Sequence, residues 1–200
     1  MAYDIRLARV LAHHAKAATM SNDVQAEAKR GLRMMLTDSL DSRDPVSNEV
    51  LRLNLTFMHH LGGLSDAPVE AELLRLTRLF MMGAIAREEM DRATVLNPDI
   101  TVGGDIRCAC LLADAAKAPM LDSDEVIARV ALRTMAEDEE VDAQFSRDVV
   151  GLTSAFLRQL SVVRPVVAAE ESLRMARLFA LGAMTREAMN IDDPLDPTAR

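Results

Sequence analysis

Histidines, arginines, a run of acids and two cysteines are the residues with which this chain could do chemistry. The histidines come as adjacent pairs, His13-His14 and His59-His60. Neighbours on a helix diverge by about 100°, so a metal ion would need one ligand from each pair. A helical wheel sets His14 toward the apolar side of its helix and His13 on the polar side with Arg6 and Arg9. His60 flanks a stripe through Phe57, and His59 points away from it. No His-Glu-x-x-His or Glu-x-x-His pattern accompanies them. They read as surface or core-edge residues, and no metal or other cofactor is expected. Cys108 and Cys110, two apart on a helix, point about 200° from each other, which disfavours a shared metal or a mutual disulfide. They read as reduced thiols of a cytoplasmic protein.

Glu137, Asp138, Glu139 and Glu140 form an acidic run that continues to Asp142. It lacks the glycine and the alternating ligands of a calcium loop. It reads as a solvated surface or as a docking patch for a basic partner. Arg87 and Arg186 are the sharper pair. Each falls near the centre of an apolar helix face, where a guanidinium must be paired, clamp an anion or reach water. Asp4 and Asp105, each in the first turn of a helix, are the expected partners. They would make a structural ion pair, within one unit or between the two, that ties a first helix to a last. Glu88 and Glu187 adjoin the arginines but point about 100° away on the same helix.

The elements that would position these groups occur twice. Residues 72–91 and 171–190 share eleven of twenty aligned positions, among them Glu72/Glu171, Arg75/Arg174, Phe80/Phe179, Gly83/Gly182, Arg87/Arg186 and Glu88/Glu187. Residues 4–17 and 105–118 share nine of fourteen. The chain therefore reads as a tandem duplication of a four-helix unit. About eight helices would pack as an all-α bundle about a pseudo-twofold axis. Residues 1–95 form the first unit, 96–104 a linker, 105–190 the second unit and 191–200 a frayed or disordered tail. Two copies suggest an internal pseudo-dimer rather than a solenoid.

In the first unit, helices are expected over about 3–19 and 23–36, then from an Asp44-Pro45 cap to Gly62-Gly63, then from near Pro68. The counterpart of the third is expected over about 142–162. Val50, Leu53, Phe57 and Leu61 make one apolar stripe, matched by Val149, Leu152, Phe156 and Leu160. Glycine inside a helix costs roughly 1 kcal/mol against alanine. Its presence at both 83 and 182 points to a close helix crossing, either of the two long helices with each other or of each with a helix of its own unit.

Composition narrows the function. The formal net charge is −8, and half of the residues are apolar. A general nucleic-acid binder would show a basic excess, so that class is disfavoured. No apolar run is long enough to span a membrane, and the N-terminus does not read as a signal peptide. Thirteen Met and only five Phe make an adaptable core of the kind that also suits partner-binding surfaces. No phosphate loop, nucleophile elbow or nucleophile–base pair is present. The chain is expected to be a non-enzymatic module for protein interaction or assembly, an adaptor, scaffold or regulator with a protein partner, and homo-oligomerisation is compatible with it. A second reading is a sensor that binds a small anion or apolar molecule between the units through Arg87 and Arg186. A third is a helical enzyme with His14 or His60 as base.

Overall fold

The computed structural model describes residues 2–17, 22, 23, 26, 30, 47–62, 70–91, 104–117, 122, 123, 126, 128, 130, 146–163 and 169–190. All of these except Ser47 and Ser146 are helical, and no strand occurs among them. The continuous helices are α1 (Ala2–Ala17), α2 (Asn48–Gly62), α3 (Glu70–Asp91), α4 (Gly104–Lys117), α5 (Arg147–Val163) and α6 (Ala169–Asn190). The expected helix over 23–36 and its counterpart fall largely outside the described residues, though 22, 23, 26, 30, 122, 123, 126, 128 and 130 are helical. Most of the expected linker, all of the tail 191–200 and Glu137, Asp138, Glu139 and Glu140 lie outside them too. Gly104, placed in the linker by sequence, opens α4.

The starts of α2 and α5 are set by serine caps. The Val50 amide donates to Ser47 Oγ at 3.1 Å, and the Val149 amide donates to Ser146 Oγ at 3.1 Å. Each serine carbonyl also accepts the first helical hydrogen bond, from Leu51 and Val150. A hydroxyl that satisfies the third amide of a helix is the usual N-cap arrangement. It places the cap of α2 at Ser47 rather than at Asp44, and starts α5 at Arg147 rather than near 142.

The two long helices run side by side in the same direction. Glu72 and Arg75 lie against Arg174 and Glu171, Gly83 lies against Phe179 and Ala183, and Arg87 and Glu88 lie against Glu187 and Arg186. Equivalent levels thus meet from Glu72 to Glu88 and from Glu171 to Glu187, about 25 Å of helices that are each 22 residues long. Of the two crossings open from sequence, this is the one between the long helices. Gly83 and Gly182 sit at its tightest point. A Cβ on Gly83 would collide with the Phe179 carbonyl oxygen and come within 2.9 Å of its carbon; one on Gly182 would do the same at Phe80. The obstacle is backbone, so no side-chain rotation relieves it.

The first helix of each half packs on the long helix of the other half. α1 packs on α6, and α4 packs on α3. α2 packs on α3 and α5 on α6, while α1–α2 and α4–α5 complete the surround. Residues 80–89 of α3 are consequently buried on every face, not along one stripe. Phe57 stacks on Phe80 with ring centroids 4.2 Å apart, and Phe156 on Phe179 at 4.5 Å. Val50, Leu53, Val149 and Leu152 are buried beside them, as their spacing suggests.

Candidate functional site

The C-terminal end of the α3–α6 seam collects the buried charges. Arg87 and Arg186 are each 7% exposed, Glu88 is 4% and Glu89 is 3%. The Arg87 Nε donates to Glu187 Oε2 at 3.2 Å, and its terminal nitrogen lies 3.7 Å from Asp148. Arg186 repeats the pattern, with Nε 3.3 Å from Glu88 Oε2 and a terminal nitrogen 2.9 Å from Glu49. Each carboxylate has a second donor, because Ser146 Oγ donates to Glu187 and Ser47 Oγ donates to Glu88.

The capping serines do two jobs at once. Each oxygen accepts from its own helix while its proton goes to a seam glutamate, so donor and acceptor capacity are both used. Asp148 and Glu49 stand in the first turn of α5 and α2, where negative charge suits the helix dipole. Each bridges outward to the arginine of the opposite half. Charge, cap and crossing therefore form one connected network at the end of each long helix. Partial burial strengthens such bonds and raises the cost of stranding any member.

Asp4 and Asp105 lie in α1 and α4, but their side chains are outside the described residues. The described partners of the arginines are Glu187 with Asp148, and Glu88 with Glu49. Sequence reasoning set the glutamates aside because residues one step apart diverge on a single helix. In a parallel pair of helices that angle is no bar. Position i on one helix and i+1 on the other both border the seam, so Arg87 reaches Glu187 and Arg186 reaches Glu88. The repeated Arg-Glu dipeptide and the equivalence of Ser47 with Ser146 were the available signals.

The histidines do not join this network. His13 is half-buried, its ring centroid 6.3 Å from that of His14, which is exposed. This reverses the expected order. α1 buries Ala8, Leu11, Ala12 and Ala15; His14 falls about 110° and His13 about 150° from the centre of that face, so distance from it does not set the order. His59 and His60 are both exposed. Among the described residues, no cluster of three or more His, Cys, Asp or Glu side chains could hold a metal, and no helix is long and apolar enough to cross a membrane.

Other buried polar groups are mostly answered locally. Thr153 Oγ1 and Thr185 Oγ1 donate to the carbonyls four residues back, at 2.8 Å and 2.6 Å. Asn54 uses Nδ2 in the same way at 3.0 Å, whereas its Oδ1 is buried without a hydrogen-bond partner among the described residues. Arg52 donates to the Ala15 carbonyl and so ties α2 to the last turn of α1. Gly151 stands at the equivalent place in α5, so that tie belongs to the first half. The surface adds a feature the spacing did not single out: Leu111, Val126 and Val130 are 48%, 59% and 56% exposed. Val126 and Val130 are helical and four residues apart, so they share one side.

No family model matches the chain, and neither a curated protein sequence nor a solved structure matches it.

Proposed function

We propose that this chain is a non-catalytic helical module for protein interaction or assembly, built by tandem duplication of a four-helix unit and working in the cytoplasm. The observation that carries the reading is the engagement of Arg87 and Arg186. A sensor with an anion between the units needs those guanidinium groups directed at a ligand. Both are instead held by carboxylates from the opposite half, and the seam beside them is filled by backbone contact at Gly83 and Gly182. Exposure of His14, His59 and His60 gives a catalytic base no enclosed setting. The exposed Val126 and Val130 side is the apolar surface that suits a partner, and the acidic run Glu137, Asp138, Glu139 and Glu140 has the charge that suits a basic one.

Affinity capture from the source cell tests this, comparing wild type with Val126→Glu/Val130→Glu and with an Arg87→Met variant. A protein retained by wild type and lost by the valine variant, at unchanged thermal stability, is the expected result. A small molecule that co-purifies with wild type in native mass spectrometry, and is lost in Arg87→Met, would replace the interaction reading with the sensor reading.

A further inference from the structure

Contacts along the seam are reciprocal at three levels among the described residues. Arg75 meets Glu171, and Arg174 meets Glu72. Gly83 faces the Phe179 carbonyl, and Gly182 faces that of Phe80. Arg87 meets Glu187, and Arg186 meets Glu88. The residue types on the two sides are the same at each of these positions, and Ser47 matches Ser146 behind them. A face that presents Arg87 beside Glu88 and receives Glu187 beside Arg186 is complementary to itself. That is the property of an isologous interface.

We propose that the α3–α6 seam is a self-recognition surface whose other partner is a second copy of this chain. Two chains exchange halves, setting α3 against α3 and α6 against α6, or α3 of each against α6 of the other. The inference rests on the duplication reading and gives the interaction module a definite partner. Side-chain chemistry does not tell the first half which chain the opposing helix belongs to. The bias toward the chain's own second half comes from the tether, residues 92–103 between α3 and α4. A short tether corresponds to an effective concentration on the order of millimolar, so exchange competes when chains fold near that concentration.

Charge reversal separates the two pairings in the full-length protein. Arg87→Glu with Glu88→Arg sets like charges against Glu187 and Arg186 within one chain. Pairing α3 with α3 of a second copy restores opposite charges, and α6 with α6 keeps the native ones. Size-exclusion chromatography with light scattering should show the dimer fraction rising at least about tenfold over wild type, because juxtaposed like charges are strongly disfavoured. Adding Arg186→Glu and Glu187→Arg restores the cross-seam pairs within the chain; the repulsion from Asp148 and Glu49 that the reversals introduce is present in either pairing, so the distribution should return to that of wild type. Recovery of stability by the four-substitution chain, without dimerisation of the two-substitution chain, would overturn self-recognition while leaving the equivalence of the halves intact.

If neither variant folds, the unsubstituted protein decides. Isotopically light and heavy chains are unfolded, mixed and refolded together at about 1 mM, then diluted for native mass spectrometry. A mixed-mass dimer that persists after dilution is expected, because its release requires the seam to open. Monomers alone, or a dimer that dissociates at once on dilution, would reject the proposal.

Discussion

The two ends of the α3–α6 seam carry the same kind of chemistry in different surroundings. At the N-terminal end, Glu72, Arg75, Glu171 and Arg174 form a ring of cross-helix and i,i+3 pairs, with side chains 31–49% exposed. At the C-terminal end, the Arg87 and Arg186 side chains are 9% and 8% exposed and are tied to helix caps. Solvent screens the first ring and leaves its ions hydrated when the pairs open. The second set lacks that alternative. Its pairs are therefore costly to break singly, whatever their net contribution against an apolar replacement. Between the two lies the glycine contact, where there is no charge and the constraint is backbone against backbone.

The largest effect is expected at that contact. Gly83→Leu and Gly182→Leu should each destabilise by more than about 3 kcal/mol, above the usual range for overpacking, because the obstructing atoms are main chain. Urea unfolding measures this; a midpoint unchanged in either variant would remove the close approach. Next comes Arg186→Met, which removes the guanidinium from the buried Glu88 and should cost about 3 kcal/mol. A double-mutant cycle of Arg186→Met with Glu88→Gln should show coupling above about 0.5 kcal/mol. The same cycle with Asp105→Asn sharpens the assignment. Coupling larger for Asp105 than for Glu88 would return the principal partnership to the aspartate.

A smaller change should follow Ser146→Ala, about 1–2 kcal/mol, since it removes the cap of α5 and one donor to Glu187 together. Loss confined to helix α5 in amide exchange, with the seam unaffected, would show that cap and seam are independent. The smallest effect belongs to the exposed ring. Arg75→Met should cost less than about 1 kcal/mol and should matter less still at high salt. An Arg75 effect equal to that of Arg186 would erase the contrast between the two ends.

Periodicity made the helices readable, and the repeated Phe57/Phe156, Phe80/Phe179 and Gly83/Gly182 pairs marked the buried layer and its closest approach. Those features depend on one helix at a time. The ion pairs did not yield to the same reasoning, because an angle around one helix axis carries no information about the register of a second. The Ser47 cap was obscured by the stronger-looking Asp44-Pro45 pattern. The pair His13 and His14 shows another limit: His13 lies farther from the Ala8, Ala12 and Ala15 face yet is the more buried of the two, so a wheel centred on one face does not rank them. Glu89 marks a difference between the halves that the repeat conceals. It is buried where the second half has the half-buried Ala188, so the apolar pattern of one half is no guide to that position in the other.

The packing of α1 on α6 sets a timetable for the protein as it is made. The first helix is finished roughly 170 residues before its main neighbour is complete, a delay of roughly ten to thirty-five seconds at ordinary rates of synthesis. During that interval the apolar side of α1 and the glycine face of α3 have been translated while α6 is still missing. On a message read by several ribosomes, the nearest finished α6 belongs to the chain ahead.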